Sequence, residues 1–398
     1  MKLNLQITDR LRRLPITRGM WVLITLITIG VVSALVRYAF GIGAVSDLSN
    51  SYPWGFWISF DLYCGVALGA GAFTIVAIVE IFDLQEFRPL VRPSVLTGML
   101  GYLMVIIALL VDLGQPLRIW HMIIYQNHTS ILLEVGLCVM LYTTVLLIEF
   151  APVVLEGFKQ NKIAHTLHKY SFPFVILGVV LSTLHQSSLG SLLIIEPYKL
   201  HPLWWTPILP VLFFITAVNA GLGMIILEST LSARAFNQGL ETHLLKKLAL
   251  ADVFVLLIYL IVRFAQLTLA GSLGYLFTSG WMSVLFWGEI FIGAVIPIAL
   301  FSQRAIRESP KGVFLGAVFV VAGLIFGRFN VSWLAIQHPD PLTYLPTFMG
   351  NVKYFPTLPE VAVSIGIVSA GVLAFTLAAK YLPLFEQGSG HAYAHGGD

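Results

Sequence analysis

The sequence predicts an all-α polytopic membrane protein of about ten transmembrane helices, and three observations carry that expectation. Of its 398 residues, 58% are hydrophobic and only 11% are charged, against roughly 25% charged in an average soluble domain. The apolar residues fall in runs of about 20 or more, the length that crosses a hydrocarbon core about 30 Å thick. Charge, proline and glycine collect between the runs, as in "RPLVRPS", "QNKIAHTLHK", "SARAFNQGLETHLLKK" and "QRAIRESPKG".

Ten spans follow in order, at 19–40, 56–82, 94–113, 129–151, 168–190, 206–230, 247–270, 281–302, 311–331 and 359–383. Residues 1–18 form a basic N-terminus, with Arg10, Arg12, Arg13 and Arg18 directly before a span too long for the apolar region of a cleavable signal peptide. The first span and an outer loop occupy 19–55. Spans 2–5 (56–190) and 6–9 (191–331) read as two four-helix bundles, flanked by spans 1 and 10. An outer loop covers 332–358, the last span 359–383, and the Gly/His-rich tail 384–398 reads as disordered.

Seventeen of the 23 lysines and arginines lie on the side of the N-terminus; Arg37, Arg118, Lys199, Arg328 and Lys353 lie opposite, with Arg263 inside a span. The positive-inside rule then makes both termini cytoplasmic, in a bacterial inner membrane. The opposite loops, among them "NSYPWGFW", "LRIWHMIIYQNH" and "EPYKLHPLWWTP", are rich in aromatics and proline, which suits lipid headgroups and a partner protein. A net charge of +3 speaks for lipid contact and against nucleic acid. Cys64 and Cys138, each in an apolar run, read as small core residues.

A weak internal repeat supports two parallel-related bundles. "GVALGAGAFTIVAIVE" resembles "AVNAGLGMIILE", and "TSILLEVG" around Glu134 echoes "MSVLFWGE" around Glu289. Ionisable residues inside the spans are costly unless paired or wetted, so each is a candidate for function. Asp61, Asp112, Glu134, His185, Arg263 and Gln266 are placed in the outer third, Glu289 near the middle, and Glu80, Glu149, Glu228 and Asp252 toward the cytoplasm. Structural roles compete. Glu80, Glu149 and Glu228 can snorkel to the interface; Asp112 can cap the turn "DLGQP"; Arg263 can pair with Glu289 or Asp61. For Asp61, Glu134 and Glu289 function is favoured.

His185, in "LSTLHQSSLGSL", can exchange protons near neutral pH, since the ordinary histidine pKa is about 6.5. A bis-histidine haem needs a second histidine at matching depth. The other nine are all in loops or tails, so no haem is expected; nor is an iron–sulfur cluster, which wants four cysteines where the chain has two. Electrons must then come from a small organic redox molecule or from a partner.

"DLSNSYPWGFWISFDLYCGVALGAGAF", "RPLVRPSVLTGMLGY", "LLEVGLCVMLYTTVLLIEFAP" and "LHQSSLGSLLIIEPYKLHPLW" together resemble the NrfD/PsrC-type quinone-interacting membrane subunits. The likeness is to the HybB-like branch, which includes membrane subunits of hydrogenase-2 and of menaquinone reductases, and it runs through nearly all ten spans. The resemblance implies two four-helix bundles, no bound haem, and a menaquinone pocket near the periplasmic face. It also implies a docked ferredoxin-like iron–sulfur subunit with further catalytic or cytochrome subunits, and a link to proton movement. Matching motif positions are Trp54, Trp57, Asp61, Asp112, Glu134, His185, Gln186 and Ser187.

On that reading His185 donates to a quinone carbonyl, Asp61 or Glu134 relays the proton, and Gln186, Ser187 and Ser188 supply further donors. Walls would come from residues near Trp57, Phe60, Gly65 and Gly69. Asp112, Glu289, Asp252, Glu228, Glu149, Glu80 and Arg263 would form a proton path from the cytoplasm; alternatively protons enter from the outer water and those groups are structural. Two other classes stay open. A secondary transporter also uses repeats and midplane acids, though no span shows the Gly/Pro break such a site usually has. A passive anchor for a redox complex could tolerate the buried groups without needing them.

Overall fold

The computed structural model describes residues 17–49, 52, 54–195, 199–236, 239–337 and 354–385. The basic residues before Thr17, most of the 332–358 loop with His338 and Lys353, and the tail from 386 lie outside them. Ten helices are long and apolar enough to cross a membrane: α1 (Arg18–Phe40), α2 (Trp57–Ile81), α3 (Gln85–Asp112), α4 (Ile131–Gly157), α5 (Phe172–Ile194), α6 (Leu209–Phe236), α7 (Thr242–Leu269), α8 (Trp281–Ser302), α9 (Pro310–Leu334) and α10 (Leu358–Tyr381). Their number matches the sequence reading, with ends moved by a few residues; α3 begins earlier because a 3-10 turn (Gln85–Leu90) leads into it.

Local chemistry sets several ends. Thr17 and Ser130 cap α1 and α4 by accepting the Met20 and Leu133 amides. At α10, Thr357 accepts the Glu360 amide while the Glu360 carboxylate accepts that of Thr357 at 2.7 Å, a reciprocal box that satisfies two orphan donors. Arg37, expected on the outer side at the end of the first span, lies buried in α1. Its Nε donates to the Val111 carbonyl at 2.6 Å and its Nη2 to that of Leu113, so it closes the end of α3, where cations suit the helix dipole.

Helices α2–α5 pack around one centre and α6–α9 around another; α6 forms the seam by packing on both α5 and α2, and α1 packs chiefly on α10, which leans on α3. The seam is built from bare backbone. A Cβ on Gly221 would sit 2.9 Å from the Gly71 nitrogen, so only glycine lets α2 and α6 come this close. Gly30 and Gly366 play the same part between α1 and α10.

One end of the molecule is basic, and ion pairs tie its loops: Arg92 to Glu156 at 2.9 Å, Lys247 to Glu86 at 2.5 Å and Arg304 to Glu308 at 3.0 Å. The other end is aromatic. There the chain before α6 does not stay at the surface as expected: His201, Leu203, Trp204 and Thr206 are all buried, and this segment plugs the α6–α9 bundle.

Four helical stretches widen into π turns: Trp57–Leu62, Ala77–Ile81, Phe291–Val295 and Asn330–Leu334. Each holds or closely follows a polar group, namely Asp61, Glu80, Glu289 and Asn330. A π turn re-aims the side chains that follow it, which is why such turns recur at functional sites.

Candidate functional site

In the first bundle, His185 is fully buried about 14 Å below the aromatic end of α5, at 1.5 Å rise per residue, nearer mid-depth than the outer third. Its Nδ1 lies 3.1 Å from the Tyr102 hydroxyl on α3, and Tyr142 of α4 packs edge-on against that phenol at 4.7 Å. Its Nε2 meets no protein partner among the described residues. Gln186, also fully buried, donates to the Val66 carbonyl at 2.9 Å and keeps an unpartnered Oε1. Both orphan atoms are costly in a bundle core unless something polar meets them.

The remaining members of the expected pocket face other partners. Asp61 is buried and accepts the Ser364 hydroxyl at 2.5 Å, and Trp57 donates to the Glu360 carbonyl at 3.0 Å, so both turn toward α10. Gly65 is a packing position against Val105 of α3. Glu134 is exposed on the first turn of α4 and accepts the Ser188 hydroxyl; Ser187 beside it is half-buried. Asp112 ends α3 with a buried, unpartnered Oδ1, and the Arg37 guanidinium donates to the Val111 and Leu113 carbonyls on either side of it.

The second bundle gathers more polar groups. Glu289 on α8 accepts three neutral donors: Trp204 Nε1 at 2.9 Å, Asn330 Nδ2 at 3.0 Å and the Tyr259 hydroxyl at 3.2 Å. Beside it lies a cavity of about 60 Å³ whose lining includes Arg263, Arg328 and Asn219. Asn219 in turn donates to Asp252 at 2.8 Å, and Asp252 Oδ2 is unpartnered and fully buried. Arg263 donates to the Leu203 carbonyl at 2.8 Å. It makes no ion pair with Glu289 or Asp61, the pairing considered from the sequence.

The other acids are dispersed. Glu228 lies at the seam, bonded to Ser232 at 2.9 Å and beside a small void that Ser94 and Thr97 also line. Glu149 sits half-buried against Gly178. Glu80 reaches Arg88 at 3.6 Å, the arrangement of an interfacial carboxylate. These groups are spread over both bundles and the seam between them.

Each bundle thus sets a tyrosine from its second helix on a titratable group, Tyr102 on His185 and Tyr259 on Glu289. Sequence reasoning missed Tyr102 and Tyr259, since an aromatic residue in an apolar span carries no signal, and Trp204, since a loop tryptophan reads as an interfacial residue. Asn219, Asn330 and Arg328 were findable, because the rule that flags carboxylates inside spans applies equally to amides and guanidiniums.

The ten membrane-crossing helices among the described residues, eight of them in two bundles flanked by α1 and α10, define a polytopic all-α membrane protein with titratable groups inside both bundles. Residues 44–337 match the family model described as "Polysulphide reductase, NrfD", and the chain belongs to that family. It is 37% identical over 381 residues to a protein of Nitratidesulfovibrio vulgaris Hildenborough, covering 93% of this chain and 95% of the relative. It is 32% identical over 367 residues to the "Probable Ni/Fe-hydrogenase 2 b-type cytochrome subunit" of Escherichia coli K12, covering 90% of each. To the "Menaquinone reductase, integral membrane subunit" of N. vulgaris Hildenborough it is 31% identical over 385 residues, covering 90% and 89%. The relatives so named are subunits of oxidoreductases, and one belongs to a menaquinone reductase.

Proposed function

We propose that this chain is the quinone-exchanging membrane subunit of a respiratory oxidoreductase, with menaquinone as substrate and a periplasmic iron–sulfur subunit as electron partner. The observation that carries the reading is the His185–Tyr102 pair: a fully buried imidazole fixed through Nδ1, with Nε2 left without a protein partner. With the phenol donating to Nδ1, the neutral ring carries its proton on Nε2, the tautomer that donates to a carbonyl oxygen. A quinone bound there takes up two electrons and two protons as it is reduced.

His185 donates a hydrogen bond from Nε2 to the quinone carbonyl, and Tyr102 holds the ring in register for it. Gln186, held by the Val66 carbonyl, borders the same space and orders water or substrate through Oε1. Glu134, exposed near the aromatic end and bonded to Ser188 one turn from His185, is placed to exchange protons with that side. Asp61 and Trp57 support the site by anchoring α10 against α2. The aromatic end, with its half-buried and exposed rings, is the docking face for the iron–sulfur subunit.

The protons are drawn from the basic end through the buried acids, with Asp252 and Glu289 in the second bundle, Glu228 at the seam and Glu149 in the first. Arg263 and Asp112 border this route near the aromatic end, and Glu80 stands at its mouth. Moving charge this way is worth about 2.3 kcal/mol per charge per 100 mV.

Two variants test the reading. His185→Ala in the assembled complex is expected to abolish quinone turnover while leaving subunit association intact; undiminished turnover overturns the site. Glu289→Gln in proteoliposomes is expected to lower voltage generation per quinone turned over, and an unchanged ratio removes Glu289 from the route.

A further inference from the structure

The second-bundle cavity has a charge imbalance that its protein neighbours do not settle. Arg263 and Arg328 both line it, 2% and 5% exposed, and Glu289 is the one carboxylate in its lining. The lining therefore carries two positive charges against one negative. Asp252 stands outside it, bonded to Asn219.

Glu289 spends its oxygens on Trp204, Tyr259 and Asn330, and neither guanidinium comes within ion-pair distance of a carboxylate among the described residues. Arg328 gives Nη2 to the Phe213 carbonyl at 3.2 Å and the Thr216 hydroxyl at 3.1 Å, and its guanidinium lies 3.6 Å from the Phe213 ring centre. Arg263 stacks 5.2 Å from the Phe286 ring centre. The Nε–H of each is buried without a partner. Buried charges are ordinarily paired, and an unpaired one is strongly destabilising.

We propose that this cavity binds one small monovalent inorganic anion of halide size, held by Arg263 and Arg328 as their missing counter-ion. The space has room for such an ion: about 60 Å³, well above the roughly 10–15 Å³ that one water-sized sphere occupies. Apolar walls such as Leu256 and Val331 favour a weakly hydrated halide over a larger oxyanion that would need more donors. The ion neutralises the lining and fixes the two guanidiniums beside Glu289.

The test uses the full chain in lipid nanodiscs and reads stability, so it is independent of quinone turnover. Chloride replaces gluconate at constant ionic strength while the thermal unfolding midpoint is followed. A saturable upward shift is expected, because a ligand that binds only the folded state stabilises it by mass action. Arg328→Gln should lose the shift, and the exposed control Arg304→Gln should keep it. Where Arg328→Gln does not fold, anomalous scattering from bromide-soaked crystals of the natural protein decides. A bromide peak between the two guanidiniums supports the site; a cavity holding only water overturns it, as does a midpoint that follows ionic strength alone.

Discussion

At the scale of single residues, the molecule separates groups that hold structure from groups left without a protein partner. Tyr102 is the sharpest case, since its hydroxyl is the protein partner of His185 Nδ1. Tyr102→Phe removes a neutral hydrogen bond worth about 1 kcal/mol, so kcat/KM for quinone should fall roughly fivefold, with the complex still assembled. Steady-state quinone reduction checks this, and an unaltered kcat/KM would detach the phenol from the site. Gly221 offers a second test. Gly221→Val drives side-chain atoms into the backbone of Ala70 and Gly71 and should destabilise the fold by about 1–3 kcal/mol in detergent, whereas Gly114→Ala, with open space around it, should not. Of the residues singled out from sequence, His185 and Glu289 emerge at the centres of their bundles, because a polar atom inside a span has few ways to be satisfied. Asp61 and Trp57 were legible as buried but not in their direction. That direction depends on α10, some 300 residues away in the chain.

At the scale of elements, the helices were legible and their irregularities were not. Runs of about 20 apolar residues locate spans, but a π turn is one extra residue in a ladder, and hydropathy does not register it. The turn at Asn330 helps bring that amide to Glu289, and the one at Trp57–Leu62 contains Asp61. The segment around Trp204 escaped for a related reason: two adjacent tryptophans beside prolines suit a membrane interface, and here one of them is drawn into a bundle to bond Glu289. The link between α8 and α9 gives a prediction with a definite sign. Glu308, exposed, has its pKa held below the ordinary 4.5 by the hydrogen bond and charge of Arg304, helped by Lys246 and Arg307. A carboxylate with a lowered pKa contributes order above its ordinary value and loses it as pH falls through the folded one. Amide protection factors across 303–309 should therefore be unchanged between pH 8 and 6 and fall as the pH drops below the ordinary glutamate value of 4.5, and Glu308→Gln should show the lower protection throughout the neutral range.

At the scale of the whole molecule, burying Arg37 and Arg328 leaves the two ends more unequal in exposed charge than a count along the sequence suggests. That strengthens the expectation of a cytoplasmic basic end. In intact cells, a cysteine replacing exposed Phe355 should react with an impermeant maleimide and one replacing Lys311 should not, the buried Cys64 and Cys138 staying silent; the opposite pattern reverses the orientation. The pairing of α1 with α10 also bears on biogenesis. Helix α1 finds its main partner in α10, far along the chain, with Gly30 opposite Gly366. At roughly 5–20 residues per second of synthesis, α1 waits something like half a minute in the bilayer before that partner exists. During that interval its mate must be lipid or an insertion chaperone, and the clasp between α1 and α10 closes only after α10 has entered the bilayer.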